Sequence, residues 1–286
     1  MQVYQSKGQN YTIPQIDLSV MPDGTPENMR YLYEMTTIDE GNGYLGHPDS
    51  VLLKNGDILT FYPEGHGRGK TCAKISKDGG KSYVNALENS PESWKNSLET
   101  PTVYRLEFTE HDWEDRLILI CGEPEWPDSN GGFDCSISAD EGKTWTEYES
   151  FYTKHDPIMS SLTKLKENGK FVDKWMGLFH TSEFVNYKTI LTFDENGKMH
   201  WSEPEPYFRM YRDIEKSANM CEVECIRSEK GQGDELLLLA RSNAKNINSL
   251  ISYSSDEGKT WSQPFEAPAA LNGERHKADY LPDGRL

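Results

Sequence analysis

The sequence predicts an all-β fold, a β-propeller of four-stranded antiparallel blades, and three observations predict it. One short motif recurs along the chain, strand–turn–strand patterns precede each copy, and helical periodicity is almost absent. Ser138-Ala-Asp-Glu-Gly-Lys-Thr-Trp145 and Ser254-Ser-Asp-Glu-Gly-Lys-Thr-Trp261 differ only in their second residue. Ser76-Lys-Asp-Gly-Gly-Lys-Ser-Tyr83 is a third copy, and Thr192-Phe-Asp-Glu-Asn-Gly-Lys-Met-His-Trp201 is a degraded fourth. The copies begin at 76, 138, 192 and 254, with gaps of 62, 54 and 62, and repetition on this scale signals a radial array of like units.

The motif reads as a structural hairpin staple. Its Ser and Asp can turn their oxygens back onto the N–H groups of the following turn. Its Gly supplies a positive φ at little steric cost. Its closing Trp or Tyr starts the next strand with a large apolar plate for packing between layers.

The hairpins follow in order. The first is Ser50 to Phe61, turning at Asn55-Gly56. The second runs Thr102 to Phe108, then a long acidic turn, then Arg116 to Cys121. The third pairs Leu162-Thr-Lys-Leu-Lys with Lys174-Trp-Met-Gly-Leu-Phe179, and the fourth pairs Glu224-Cys-Ile-Arg with Glu235-Leu-Leu-Leu-Leu-Ala240. A third strand then enters each staple and a fourth leaves it. Residues Tyr211 to Met220 are expected to form one short surface helix. No linker or low-complexity stretch divides the chain, so 1–286 is expected to be a single domain. The last hairpin, His276 to Leu286, stops after its turn, so four full blades and the start of a fifth are expected, a C-terminally incomplete ring.

A net charge of −17 argues against nucleic acid or an anionic membrane as partner. The longest apolar runs, Leu117 to Cys121 and Leu236 to Ala240, are too short to span a bilayer. The N-terminus lacks the apolar stretch of a secretory signal, which implies a cytoplasmic protein unless a leader has been removed. The five cysteines (72, 121, 135, 221 and 225) lack disulfide-framework spacing and read as buried free thiols, with no metal site and no cofactor expected.

Aligning the hairpins on their turn glycines yields two polar columns. Just before the innermost strands lie His47, Glu99, Ser160, Glu222 and Arg275, the last followed by His276. Where the return strands end lie Glu64, Glu123, His180 and Arg241, with His66 and Arg68 on the loop of Glu64. Apolar strands that repeatedly end in His, Glu or Arg at one rim predict a charged central pocket. Glu99 and Glu123 read equally well as solvated rim carboxylates. Glu222 and Glu224 share a strand face, and the column favours Glu222.

With these motifs the chain, from about residue 44, resembles the sialidase (neuraminidase) superfamily, a six-bladed propeller family whose staples are known as Asp boxes or BNR repeats. The resemblance implies a glycoside hydrolase acting on an anionic or polar terminal sugar. The family's Asn-Glu is matched by Cys221-Glu222, and an arginine of its carboxylate-binding triad by Arg241. Its Arg-Ile-Pro is replaced by Gly46-His47-Pro48, and its acid/base Asp has no counterpart in Glu64-Gly-His-Gly-Arg-Gly-Lys70. On this reading Arg68, Arg241 and Arg275 hold a carboxylate and Glu64 or His66 donates a proton. Glu222 is the base or activates the nucleophile, and His47 contacts hydroxyls or shares the proton transfer. Two rivals stand beside it: a uronate-directed lyase with His47 or His180 as base, and a non-catalytic glycan- or protein-binding propeller.

Overall fold

The computed structural model describes residues 3–5, 12–14, 19–41, 43–65, 69–96, 99–122, 132–151, 159–281 and 283–286. A two-stranded ribbon, β1 (Val3–Gln5) with β2 (Thr12–Pro14), precedes four antiparallel sheets. The first sheet is β3 (Asp49–Leu52), β4 (Ile58–Pro63), β5 (Thr71–Ser76) and β6 (Val84–Asn85). The second is β7 (Glu99–Leu106), β8 (Arg116–Gly122), β9 (Phe133–Ser138) and β10 (Glu149–Phe151). The third is β11 (Ser161–Glu167), β12 (Lys170–His180), β13 (Asn186–Phe193) and β14 (Met199–Trp201), with β15 (Glu205–Pro206) also on β13. The fourth is β16 (Met220–Arg227), β17 (Leu236–Ser242), β18 (Leu250–Ser254) and β19 (Phe265–Glu266). The expected surface helix is α1 (Arg212–Ala218), closed by Asn219 in the left-handed conformation.

Within each sheet the strands pair in chain order, as in a propeller blade. The apolar core lies between successive blades. Leu59 and Phe61 meet Val103 and Leu117, Ile118 and Phe133 meet Trp175 and Phe179, and Met176 and Leu178 meet Met220 and Leu236. Burying each phenylalanine stabilises the ring by about 2–3 kcal/mol before entropy is charged against it. The staple plates belong to these layers: Trp145 packs edge-on to Phe61 with ring centroids 5.3 Å apart, and Trp261 is buried in the last layer. Cys121, Cys135, Cys221 and Cys225 are buried free thiols, and Cys72 is free and half-buried.

The staples close as their chemistry requires. Ser138 Oγ donates to Asp140 and accepts from Gly142 N–H, while Asp140 Oδ1 accepts from Thr144 N–H. The copy at Ser254, Asp256, Gly258 and Thr260 repeats these bonds. The glycine answers two demands. Gly142 has φ 79°, and a Cβ there would sit 2.6 Å from Leu59 Cδ2 of the preceding blade. Gly258 has φ 70°, and a Cβ would sit 2.6 Å from Met176 Sδ. A side chain at either position would be strained by the φ and would press on a packed side chain of the preceding blade.

The staple glutamates add a function that sequence reasoning missed. Glu141 and Glu257 are left-handed at φ 58° and 60°, which turns each carboxylate toward the preceding blade. Glu257 takes both guanidinium nitrogens of Arg227 and the N–H of Lys166. Glu141 does the same with Arg105 and the N–H of Lys54. These two staples therefore clamp their own innermost strands to the hairpins of the blades before them.

Candidate functional site

The innermost strands β3, β7, β11 and β16 enter from one rim, and the stretch after Leu271 crosses between them. Arg275 Nη2 donates to Thr102 Oγ1 of the second blade at 2.6 Å and to Met159 O, before the third, at 3.1 Å. His276 Nε2 lies 2.9 Å from Ser249 Oγ. Lys277 Nζ lies 3.4 Å from Asp49 of the first blade, and Tyr280 Oη donates to Arg227 O of the fourth. This polar segment thus reaches into every quarter of the arc.

A cavity of about 320 Å³ opens beside it, lined by His47, Pro48, Asp49, Pro101, Thr102, Arg241, Glu274, Arg275 and Lys277. Three residues of the predicted columns, His47, Arg241 and Arg275, therefore meet at one opening. Glu222 lies immediately behind, its Oε2 accepting from Arg241 Nη1 at 2.5 Å. The other guanidinium edge, Nη2, reaches Glu274 Oε2 at 2.5 Å, and Glu274 is almost fully exposed. The backbone sets this geometry. The β16–β17 register slips between Cys221 and Val223, and Glu222 is left-handed at φ 42°. Such a bulge re-aims a side chain and recurs beside functional sites. His47 is also left-handed, at φ 51°, where the chain turns into β3.

The electrostatics distinguish the acids. Burial pulls the Glu222 carboxyl upward, but the bond and charge of Arg241, with help from His180 and Arg275, hold it below the usual carboxylate range. His180 is pushed down to about 4, chiefly by burial. Its Nδ1 accepts the Glu222 N–H at 3.3 Å, which leaves the ring neutral with its proton on Nε2. Glu224, two residues beyond Glu222, is 6% exposed, and its Oε2 has no hydrogen-bond partner among the described residues. Burial raises it to about 8; Asp49 and Asp279 add to the rise, and Lys277 and Arg275 oppose it. Tyr104, whose buried hydroxyl also lacks a partner among the described residues, is driven well above its ordinary value by burial and then by Glu224. Lys277 Nζ stands 4.5 Å above the Tyr104 ring.

Other expected residues fall elsewhere. Glu64 is exposed at the end of β4, paired with Lys70 at 3.1 Å, and does not line the cavity. Its N–H donates to Lys70 O, so the chain folds back on itself there. His180 and His276 sit behind the cavity rather than on its wall, and burial lowers His276. Glu99 opens β7 opposite Gly122. His66, Arg68 and Glu123 lie outside the described residues. Asp49, Glu224, Glu274 and Lys277 are site residues that the columns did not select. One signal was available: Glu224, like Glu222, alternates with apolar residues along β16. Among the described residues no group of three or more His, Cys, Asp or Glu is placed to hold a metal, and no helix is long and apolar enough to cross a membrane.

A larger cavity, about 770 Å³, lies at the opposite rim between the third and fourth blades, near the β11–β12 turn. Three of its four lysines are already engaged: Lys166 with Asp234, Lys174 with Glu167, and Lys188 with Glu205. The smaller central cavity carries the buried and opposed ionisable groups, and it is the candidate site.

Residues 95–286 match the family model described as BNR repeat-like domain. No curated protein sequence matches. The NanB sialidase of Streptococcus pneumoniae superposes with a TM-score of 0.53 at 10% identity, over 81% of this chain and 54% of that one. An exo-β-1,3-galactanase of Phanerochaete chrysosporium gives 0.52 at 13% identity, over 79% and 51%. An α-L-arabinofuranosidase of Fusarium graminearum gives 0.53 at 13%, over 75% and 64%. These likenesses show the fold, a sialidase-like β-propeller, and this chain spans between half and two thirds of each of the three.

Proposed function

The chain belongs to the BNR repeat-like domain family, and on that premise we propose that it is a glycoside hydrolase acting on a terminal sugar that carries a carboxylate. The observation that supports this most is the meeting of His47, Arg241 and Arg275 on one cavity with the Glu222 carboxylate behind it. In a chain of net charge −17, a cavity where Arg241, Arg275 and Lys277 outnumber Asp49 and Glu274 is a local exception. Guanidinium groups suit a carboxylate because their N–H pairs match its two oxygens. The substrate carboxylate would take the Arg241 edge now held by the exposed Glu274. Glu222, kept ionised, would accept the proton of an attacking water or stabilise positive charge at the anomeric carbon. His47 would contact hydroxyls.

A panel of aryl glycosides of sialic and uronic acids, assayed with wild type, Glu222→Gln, Arg241→Lys and His47→Ala, tests this. The expected result is turnover of at least one glycoside and a loss of about a hundredfold or more in Glu222→Gln. Equal turnover in all four proteins would remove the assignment.

One observation favours a second reading. A histidine and two arginines on one wall also suit abstraction of the proton α to a uronate carboxyl, with the arginines neutralising the acid. Elimination creates an unsaturated sugar with a new ultraviolet chromophore, whereas hydrolysis does not. Glycan binding without turnover would leave the non-catalytic reading.

A further inference from the structure

We propose that Glu224 is the proton donor of this site, the acid partner of the Glu222 base. The inference rests on the hydrolase reading above and names the group that reading lacks. Glu64 stands exposed and paired to Lys70, off the cavity wall.

Position comes first. The bulge at Glu222 lets Val223 and Cys225 fill the layer against the third blade, and Glu222 and Glu224 lie on the other side of β16. Two carboxyl groups thus stand on one strand at the central mouth, in opposite environments. Glu222 has a guanidinium against it. Glu224 is nine-tenths buried, with an oxygen that no described residue satisfies. A buried carboxylate without donors is costly, whereas the neutral acid is tolerated and keeps a proton to give. The titratable and charged groups that act on it are Lys277, Asp49, Arg275, Asp279 and Tyr104. Three of these, Asp49, Arg275 and Lys277, line the cavity, so the acid feels the charges of its wall without reaching it. Lys277, whose charge acts on Glu224, is about half exposed and tethered to Asp49 at 3.4 Å. A bound sugar that displaces this ammonium opens the acid to the glycosidic oxygen.

The step balances. The Glu224 O–H bond breaks as its proton passes to the glycosidic oxygen. The bond from the anomeric carbon to that oxygen breaks, and its electron pair stays with the departing alcohol. A water oxygen bonds to the anomeric carbon and releases a proton to Glu222. Exchange with solvent then returns Glu222 to its anion and Glu224 to its acid.

Two measurements test it. Infrared difference spectra between about pH 6 and pH 10 should show a protonated-carboxyl C=O band titrating near 8 in wild type and missing in Glu224→Gln. Absence of that band in wild type would overturn the proposal whether or not the variant folds. Kinetics then compare an aryl glycoside, whose leaving group needs no proton, with an alkyl glycoside of the same sugar. Glu224→Gln should lose about a hundredfold or more in kcat on the alkyl glycoside and less than about tenfold on the aryl one. Equal losses on both would sink the donor role and leave the hydrolase reading standing. A wild type that cleaves neither defeats the hydrolase reading, and the donor role falls with it.

Discussion

Arg241 donates from Nη1 to Glu222 Oε2 at 2.5 Å, across a strand pair whose register slips at Glu222 itself. The bond joins a bulge to the end of the neighbouring strand and keeps the Glu222 carboxylate charged. It also leaves the other edge of the guanidinium for the cavity, where, among the described residues, the exposed Glu274 engages it.

Arg241→Met strands a buried carboxylate, and the expected cost is about 3 kcal/mol. Urea denaturation at neutral pH measures it. Adding Glu222→Gln to the same protein should recover most of that loss, because the uncompensated charge is then gone. A double variant no more stable than Arg241→Met would show that the pair is not coupled.

Glu274→Gln should ease anionic substrates into the cavity. The expected effect is a KM about three- to tenfold lower with kcat unchanged, since the variant removes only a competitor for Arg241. Steady-state kinetics on a charged and an uncharged glycoside check it, and the uncharged one should not respond.

The staple clamps should rank by burial. Arg227 is 4% and Glu257 16% exposed, against 18% and 27% for Arg105 and Glu141. Glu257→Gln is expected to cost about 3 kcal/mol and lower Tm by about 6–10 °C. Glu141→Gln should cost less. Calorimetry of the two variants decides, and a reversed order would show that burial does not set the strength of the clamps.

Acid should find His180. Its folded value, about 4, lies below the ordinary histidine value of 6.5. The unfolded chain therefore binds the proton more readily, and stability that is complete above about pH 6.5 is lost as pH falls toward 4. Asn at this position keeps an acceptor for the Glu222 N–H and carries no titration. Denaturation curves between pH 7 and about pH 4 should be flatter for His180→Asn by on the order of 2 kcal/mol. Parallel curves would assign the acid sensitivity elsewhere.

The fold was legible because its signals are local: staple spacing, turn glycines and strand alternation. The columns brought His47, Arg241 and Arg275 to one opening because counting back from a turn glycine follows a regular hairpin. Irregular backbone lay beyond that arithmetic. Alternation alone puts Glu222 and Glu224 on one strand face, yet the bulge at Glu222 does not show in the sequence, and which acid is paired and which buried depends on Arg241 and on the segment after Leu271. Glu274 and Lys277 belong to that segment and have no counterpart in the other hairpins. Glu64 missed the cavity because its loop closes onto Lys70. The clamps of Glu141 and Glu257 depend on a left-handed φ in a residue that is not glycine, which the motif does not announce.

Glu222 occupies a conformation, φ 42°, that a glycine would hold at rest. The main chain is thus slightly bent out of comfort to present its carboxylate. Glu222→Gly would relax that tension but remove the carboxylate that Arg241 holds, so the ease gained by the main chain is set against the loss of the pair.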